Sequence, residues 1–192
     1  MNLVKNILAL IGLAALAAAG FGYVQFGSAF SGFDPKAKEV YSGMLQRLME
    51  TGNPAEATVW KAKVKDGLSF DDVDTAIKSV ATEMNIKDVG ALPLGDQVEA
   101  MQGKKWRKLK IYLYCNPLTA AKMIDYSDAF SAYLPCRVSL LEDKTGKLWI
   151  YTLDMDMMIH GGKPLPAELK AEAIKVKEIM KAVLDRGAKG EF

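Results

Sequence analysis

The sequence predicts an α+β protein: a two-layer sandwich of a mainly antiparallel, four- to five-stranded sheet covered by helices, preceded by one N-terminal transmembrane helix. Three observations carry this expectation. Residues 6–33 hold no charged side chain, and residues 7–24 are almost continuously apolar, about the length a helix needs to cross a hydrocarbon core. Downstream, segments alternating with period two are interleaved with segments of helical periodicity, the pattern of strands and the helices that cover them. Two strand signals flank Asp143-Lys144-Thr145-Gly146, a hairpin turn with glycine where a positive φ is wanted, so those strands pair antiparallel.

Size and composition narrow the classes of function. With 192 residues, 50% of them hydrophobic, the chain suffices for one membrane segment and one domain with its own core. We divide it into residues 1–33 (anchor), 34–54 (an amphipathic linker helix) and 55–192 (the globular domain). Lys and Arg number 25 against 23 Asp and Glu, with the signs interleaved, so nucleic acid is not an expected partner. Two cysteines allow one bridge or one thiol pair, and the single histidine, His160, excludes sites that need two.

The anchor has a rival reading. Ala17, Ala18 and Ala19 before Gly20, after a short start with Lys5, have the form of a signal-peptide cleavage site. The apolar character nevertheless continues through Phe21, Tyr23, Val24 and Phe26, as an aromatic interface belt would, and an uncleaved anchor is the expectation. Both readings export the domain, placing it on the periplasmic or outer face of the inner (cytoplasmic) membrane. Gly12, Ala15, Ala19 and Gly22 recur at three or four residues, a small-residue face that would let a partner helix approach.

The elements follow in order. Asp34-Pro35 starts a helix carrying Val40, Tyr41, Met44, Leu45 and Leu48, stopped at Gly52-Asn53-Pro54. Residues 58–64 read as a strand. Ser69 with Asp72 forms a capping box before a helix whose apolar face is Val73, Ile77, Val80 and Met84. Residues 86–92 form a second strand, and residues 96–102 one or two helical turns. In the strand ending at Cys115, Leu109, Ile111, Leu113 and Cys115 share one face, with Lys110, Tyr112 and Tyr114 on the other. Asn116 caps the next helix with Pro117 at its first position, residues 137–142 and 147–153 make the hairpin, and Leu169, Ala173, Val176, Met180 and Val183 mark a final helix ended by Gly187.

Cys115-Asn116-Pro117, the Ala120-Ala121 that follows, Leu134-Pro135-Cys136-Arg137-Val138 and the turn at residues 142–147 resemble the family known as domain of unknown function 302. The similarity covers residues 58–159 and extends, more loosely, to a membrane-anchored, exported branch found in bacteria with sulfur or respiratory specialisation. The resemblance implies a compact α+β sandwich, often a dimer, and brings no established activity.

Candidate chemistry centres on the cysteines. Cys115 ends one strand and Cys136 begins another, so antiparallel pairing would set both sulfurs on one rim of the sheet. A structural disulfide, stabilising by roughly 3 kcal/mol in the chain-entropy model, and a pair of buried apolar thiols are the plain readings. The functional reading takes Cys115, Asn116, Cys136 and Arg137 as a thiol pair or ligand site: the N-terminus of the following helix would lower the Cys115 thiol pKa, and Arg137 would add positive charge. Such a site would suit a reversible disulfide, an anion or a soft metal. A second candidate is copper or haem contact through Met155, Met158 and His160, set against ordinary core filling by the methionines. Tyr112, Tyr114, Tyr126, Phe130 and Tyr133 add aromatic bulk, for core, pocket or dimer face. No catalytic motif is present and no cofactor is firmly implied. The functional expectation is therefore a membrane-anchored extracytoplasmic accessory or ligand-binding domain serving a redox or respiratory membrane system, with partners through the anchor helix or as a homodimer. The alternative is a thiol-based redox or sulfur-transfer protein using Cys115 and Cys136.

Overall fold

A computed structural model of the chain describes residues 2–192. Helix α1 (Asn2–Phe30) contains a stretch, Leu3–Val24, long and apolar enough to cross a membrane, and none of it is buried against the rest of the chain. A signal sequence near the N-terminus has the same length and composition. The side chain of Phe26, expected in an interface belt, lies outside the described ones. A Cβ added at Gly12 or Gly22 would meet nothing within 4 Å, so the small-residue face is open.

The globular part is a five-stranded sheet in the order β1-β5-β4-β3-β2, with β1 (Val59–Lys63), β2 (Lys87–Leu92), β3 (Leu109–Cys115), β4 (Cys136–Glu142) and β5 (Leu148–Leu153), every neighbouring pair antiparallel. The β4–β5 hairpin closes as expected: Asp143 Oδ1 accepts from the Thr145 and Lys147 amides, and Gly146 takes φ +80°. Helix α4 (Phe70–Glu83) crosses from one edge strand to the other, starting at a complete Ser69–Asp72 capping box. It packs with the long C-terminal helix α8 (Ala167–Lys189) over one face of the sheet. Val73, Ile77, Val80, Val138, Leu140, Ile150, Met180 and Val183 are wholly buried there, each burial contributing about 1.5–3 kcal/mol.

One expectation changes here. Gly187 does not end α8, which runs on to Lys189 and is capped by Gly190 at φ +70°. Gly187 instead lets α8 approach the core: a Cβ there would stand 3.0 Å from Ile77 Cγ1 and 3.2 Å from Ile150 Cδ1. In β3 the helix-covered face is the tyrosine face. Tyr112 and Tyr114 are buried, while Leu109, Ile111 and Leu113 lie half-buried on the opposite face. Burying Tyr112 requires a partner for its hydroxyl, and it donates to Asp74 Oδ1 at 2.6 Å, a carboxylate also held by Lys78 and Lys110.

Helix α2 (Ala37–Thr51), read from sequence as a linker, packs on the domain. Arg47 donates to Ala57 O in the short helix α3 (Pro54–Ala57) and to Asp154 Oδ2 at 2.9 Å, and the Tyr41 hydroxyl donates to Gly161 O at 2.6 Å. Asp34, expected as a simple cap, accepts from the Lys36 amide at 2.9 Å, but its carboxylate is buried and paired with Lys170 of α8. That hydrogen bond with Lys170 is the main cause holding the Asp34 pKa down to about 2. The chain between α1 and the domain is thus fixed at both ends of α2.

Candidate functional site: the cysteine rim of the sheet

Strand direction places the start of β1, the end of β5, the start of β4 and the end of β3 on a single rim, so Val59, Leu153, Cys136 and Cys115 gather there. The elements that follow or precede these ends crown the rim: helix α6 (Pro117–Tyr126), a 3-10 turn (Asp128–Tyr133) and the short helix α7 (Asp156–His160). Asn116 caps α6 as expected, its side chain accepting from the Thr119 amide at 3.2 Å, with Pro117 next. Since α2 packs on α7, this is also the rim on which α2 docks.

Cys115 and Cys136 share the rim and are not bonded to each other. Register explains why. Cys136 stands opposite Tyr114, so both leave from the helix-covered face, and Cys115, one residue further along, leaves from the other face opposite Lys87. The same alternation sends Arg137 away from Cys136, onto the open face. The expected low thiol pKa at the α6 N-terminus is also corrected: burial pushes Cys115 up, with Lys87 only partly opposing it. Burial likewise pushes Cys136 up to about 11, Cys115 adding a smaller increment. A thiolate in apolar surroundings loses hydration, so burial favours the protonated thiol.

A cleft of about 360 Å³ opens at this rim. Val59, Tyr133, Cys136, Tyr151, Leu153 and Met158 are among the residues that line it. Arg137 lines it and makes no ion pair among the described residues. The volume falls in the range of small-molecule sites, and the mostly apolar wall with one cation is their usual chemistry. A second cavity, of about 30 Å³, sits behind it beneath α6 and α8, and Cys136, Met155 and Met158 line both. Two further hollows, of about 300 and 260 Å³, reach toward α2, and Met158 and Tyr133 border both.

The segment expected to gather Met155, Met158 and His160 is divided by the structure. Met155 and Met158 face the cavities beside Cys136, whereas His160 is 4% exposed and turned to Asp34, with Nδ1 3.3 Å from Oδ1 at an angle outside hydrogen-bond geometry. His160 therefore leaves the candidate metal set. No group of three or more His, Cys, Asp or Glu side chains placed to hold a metal occurs among the described residues. Met123, Ser139 and Tyr151 were not singled out as site residues from sequence; only the chain's path through α6 and the hairpin brings them to the rim.

A one-sided helix-covered antiparallel sheet with a cleft on its rim defines a small α+β sandwich domain. The chain belongs to the family described as Domain of unknown function DUF302, whose model matches residues 60–187. A crystal structure of an uncharacterized conserved protein DUF302 from Bacillus stearothermophilus aligns with a TM-score of 0.53 and 16% identity, covering 67% of this chain and 97% of that one. This likeness is one of fold. No curated protein matches the chain.

Proposed function

We propose that the protein is a membrane-anchored, extracytoplasmic binding domain without catalytic chemistry of its own. In this reading α1 crosses the cytoplasmic membrane with its N-terminus inside, and the domain stands on the outer face, presenting a small ligand to a membrane or exported partner. The observation that carries it is the 360 Å³ cleft on the rim where α2 docks, apolar in its walls and lined by the cation of Arg137, which has no ion pair among the described residues. That combination fits a ligand with an apolar body and one anionic group. The thiol-redox alternative is weaker, because burial raises both thiols and leaves little thiolate to attack.

The test uses 1-anilinonaphthalene-8-sulfonate, an apolar anion of suitable size, with the full chain in nanodiscs and empty nanodiscs as background. Saturable fluorescence is expected for the native chain, reduced in Arg137→Gln and abolished in Ser139→Trp, whose indole would occupy the cleft. Equal saturable signal in all three would sink the proposal.

A further inference from the structure

The 30 Å³ cavity behind the cleft has an unusual wall. Of the chain's two cysteines and ten methionines, Cys115, Cys136, Met123, Met155 and Met158 all line it, on four different elements. Methionines that merely fill a core are enclosed on all sides. Met158 instead borders this cavity, the cleft and both hollows toward α2, so its thioether has room to turn. Cys136 is 8% exposed and lines the cavity. The space is about that of one water or one ion, and its wall is thiol, thioether and hydrocarbon apart from Asn116 and Thr119, whose side chains already engage the Thr119 amide and Glu172.

We propose that this cavity binds a single Cu(I) ion through the Cys136 thiolate and the thioethers of Met155 and Met158, with Met123 at its margin. Soft sulfur donors select Cu(I), and the absence of a His, Cys, Asp or Glu triad among the described residues removes the usual competition from Zn(II). Loading involves no redox step. The Cys136 S–H bond breaks, an S–Cu bond forms, and one proton passes to bulk water. One thiolate with neutral thioethers makes a complex of zero net charge, which an apolar cavity accepts far better than the anion two thiolates would give. Cys115 also lines the cavity, and its thiol is left out of the ligand set because a second thiolate would make the complex an anion. The copper site shares the cleft of the binding domain but not Arg137, so the two readings stand or fall separately.

The experiment is an anaerobic titration of the reduced full chain in detergent with Cu(I), in competition with the chromophoric chelator bathocuproine disulfonate, with released protons counted. One copper per chain and one proton per copper are expected. Cys136→Ser should abolish binding, and Met155→Leu with Met158→Leu should weaken it by more than the ~10–100-fold typical of losing an outer-sphere partner. His160→Gln should bind as the native chain does. Thermal melts accompany each variant, and if Cys136→Ser fails to fold, the volume-conserving methionine pair decides. No binding against the chelator, two protons per copper, or undiminished affinity in the methionine pair would overturn the assignment. Sulfonate binding on the same preparation shows whether the cleft reading survives that result.

Discussion

The short helix α7 separates two buried regions that differ in how their polar groups are met. On the His160 side, Asp34 is closed in on charged and amide donors: the Lys36 N–H and Lys170 both bond its carboxylate, and its own N–H donates to Gly162 O at 2.8 Å, while His160 Nδ1 beside it has no hydrogen-bond partner among the described residues. On the Met155 and Met158 side, Cys136 is 8% exposed and borders open cavities. Buried charges are retained where they are paired, so the Asp34 carboxylate reads as a structural joint, whereas a thiol bordering a cavity reads as a site open to a ligand. The comparison assigns Asp34 to holding the segment before α2 and Cys136 to binding.

The contrast is broken most directly at Asp34. Asp34→Ala leaves Lys170 and the Lys36 amide without their acceptor and is expected to destabilise the domain by about 3 kcal/mol, read from chemical denaturation. The same variant should open the segment between α1 and α2 to limited proteolysis. Unchanged stability and resistance would remove the joint. Next in size is a pH effect. The Asp34 pKa falls from the ordinary 3.8 to about 2 on folding, because Lys170 bonds the charged form. Its stabilisation is therefore fully present above about pH 4 and lost as the pH drops toward 2. The difference in melting temperature between native chain and Asp34→Ala should shrink across that window, and a difference independent of pH would contradict the ion pair.

On the other side of α7, effects on stability should be small and effects on binding large. Met158→Leu conserves volume and is expected to cost less than about 1.5 kcal/mol. Smaller still, Cys136→Ala removes one buried sulfur, at about 1 kcal/mol or less. Either change lowering stability as much as Asp34→Ala would mean that the sulfur cavity is core, and the contrast with the joint would dissolve.

Local signals were legible in the sequence because their causes are local. The Ser69–Asp72 box, the Asn116-Pro117 helix start and the Asp143 to Gly146 turn each place a side chain within a few residues of the amide it serves. The sheet with its helical cover follows from the same periodicities. What sequence hid depends on distant partners. Nothing near Asp34 announces Lys170, 136 residues away. The alternation in β3 separates two faces without saying which is covered; the tyrosine face is buried, since Asp74 on α4 supplies what Tyr112 needs. The shared rim of Cys115 and Cys136 was visible from strand ends alone. Their opposite faces were not, because a one-residue difference in register reverses a side chain.

The central claim, a ligand site in the rim cleft of an anchored domain, is tested most directly by native mass spectrometry of the full chain released from membranes in mild detergent. The account predicts that the native chain carries a bound small molecule or ion in a defined stoichiometry that is lost when Ser139→Trp fills the cleft. Identical bare masses for the native chain and Ser139→Trp would contradict it.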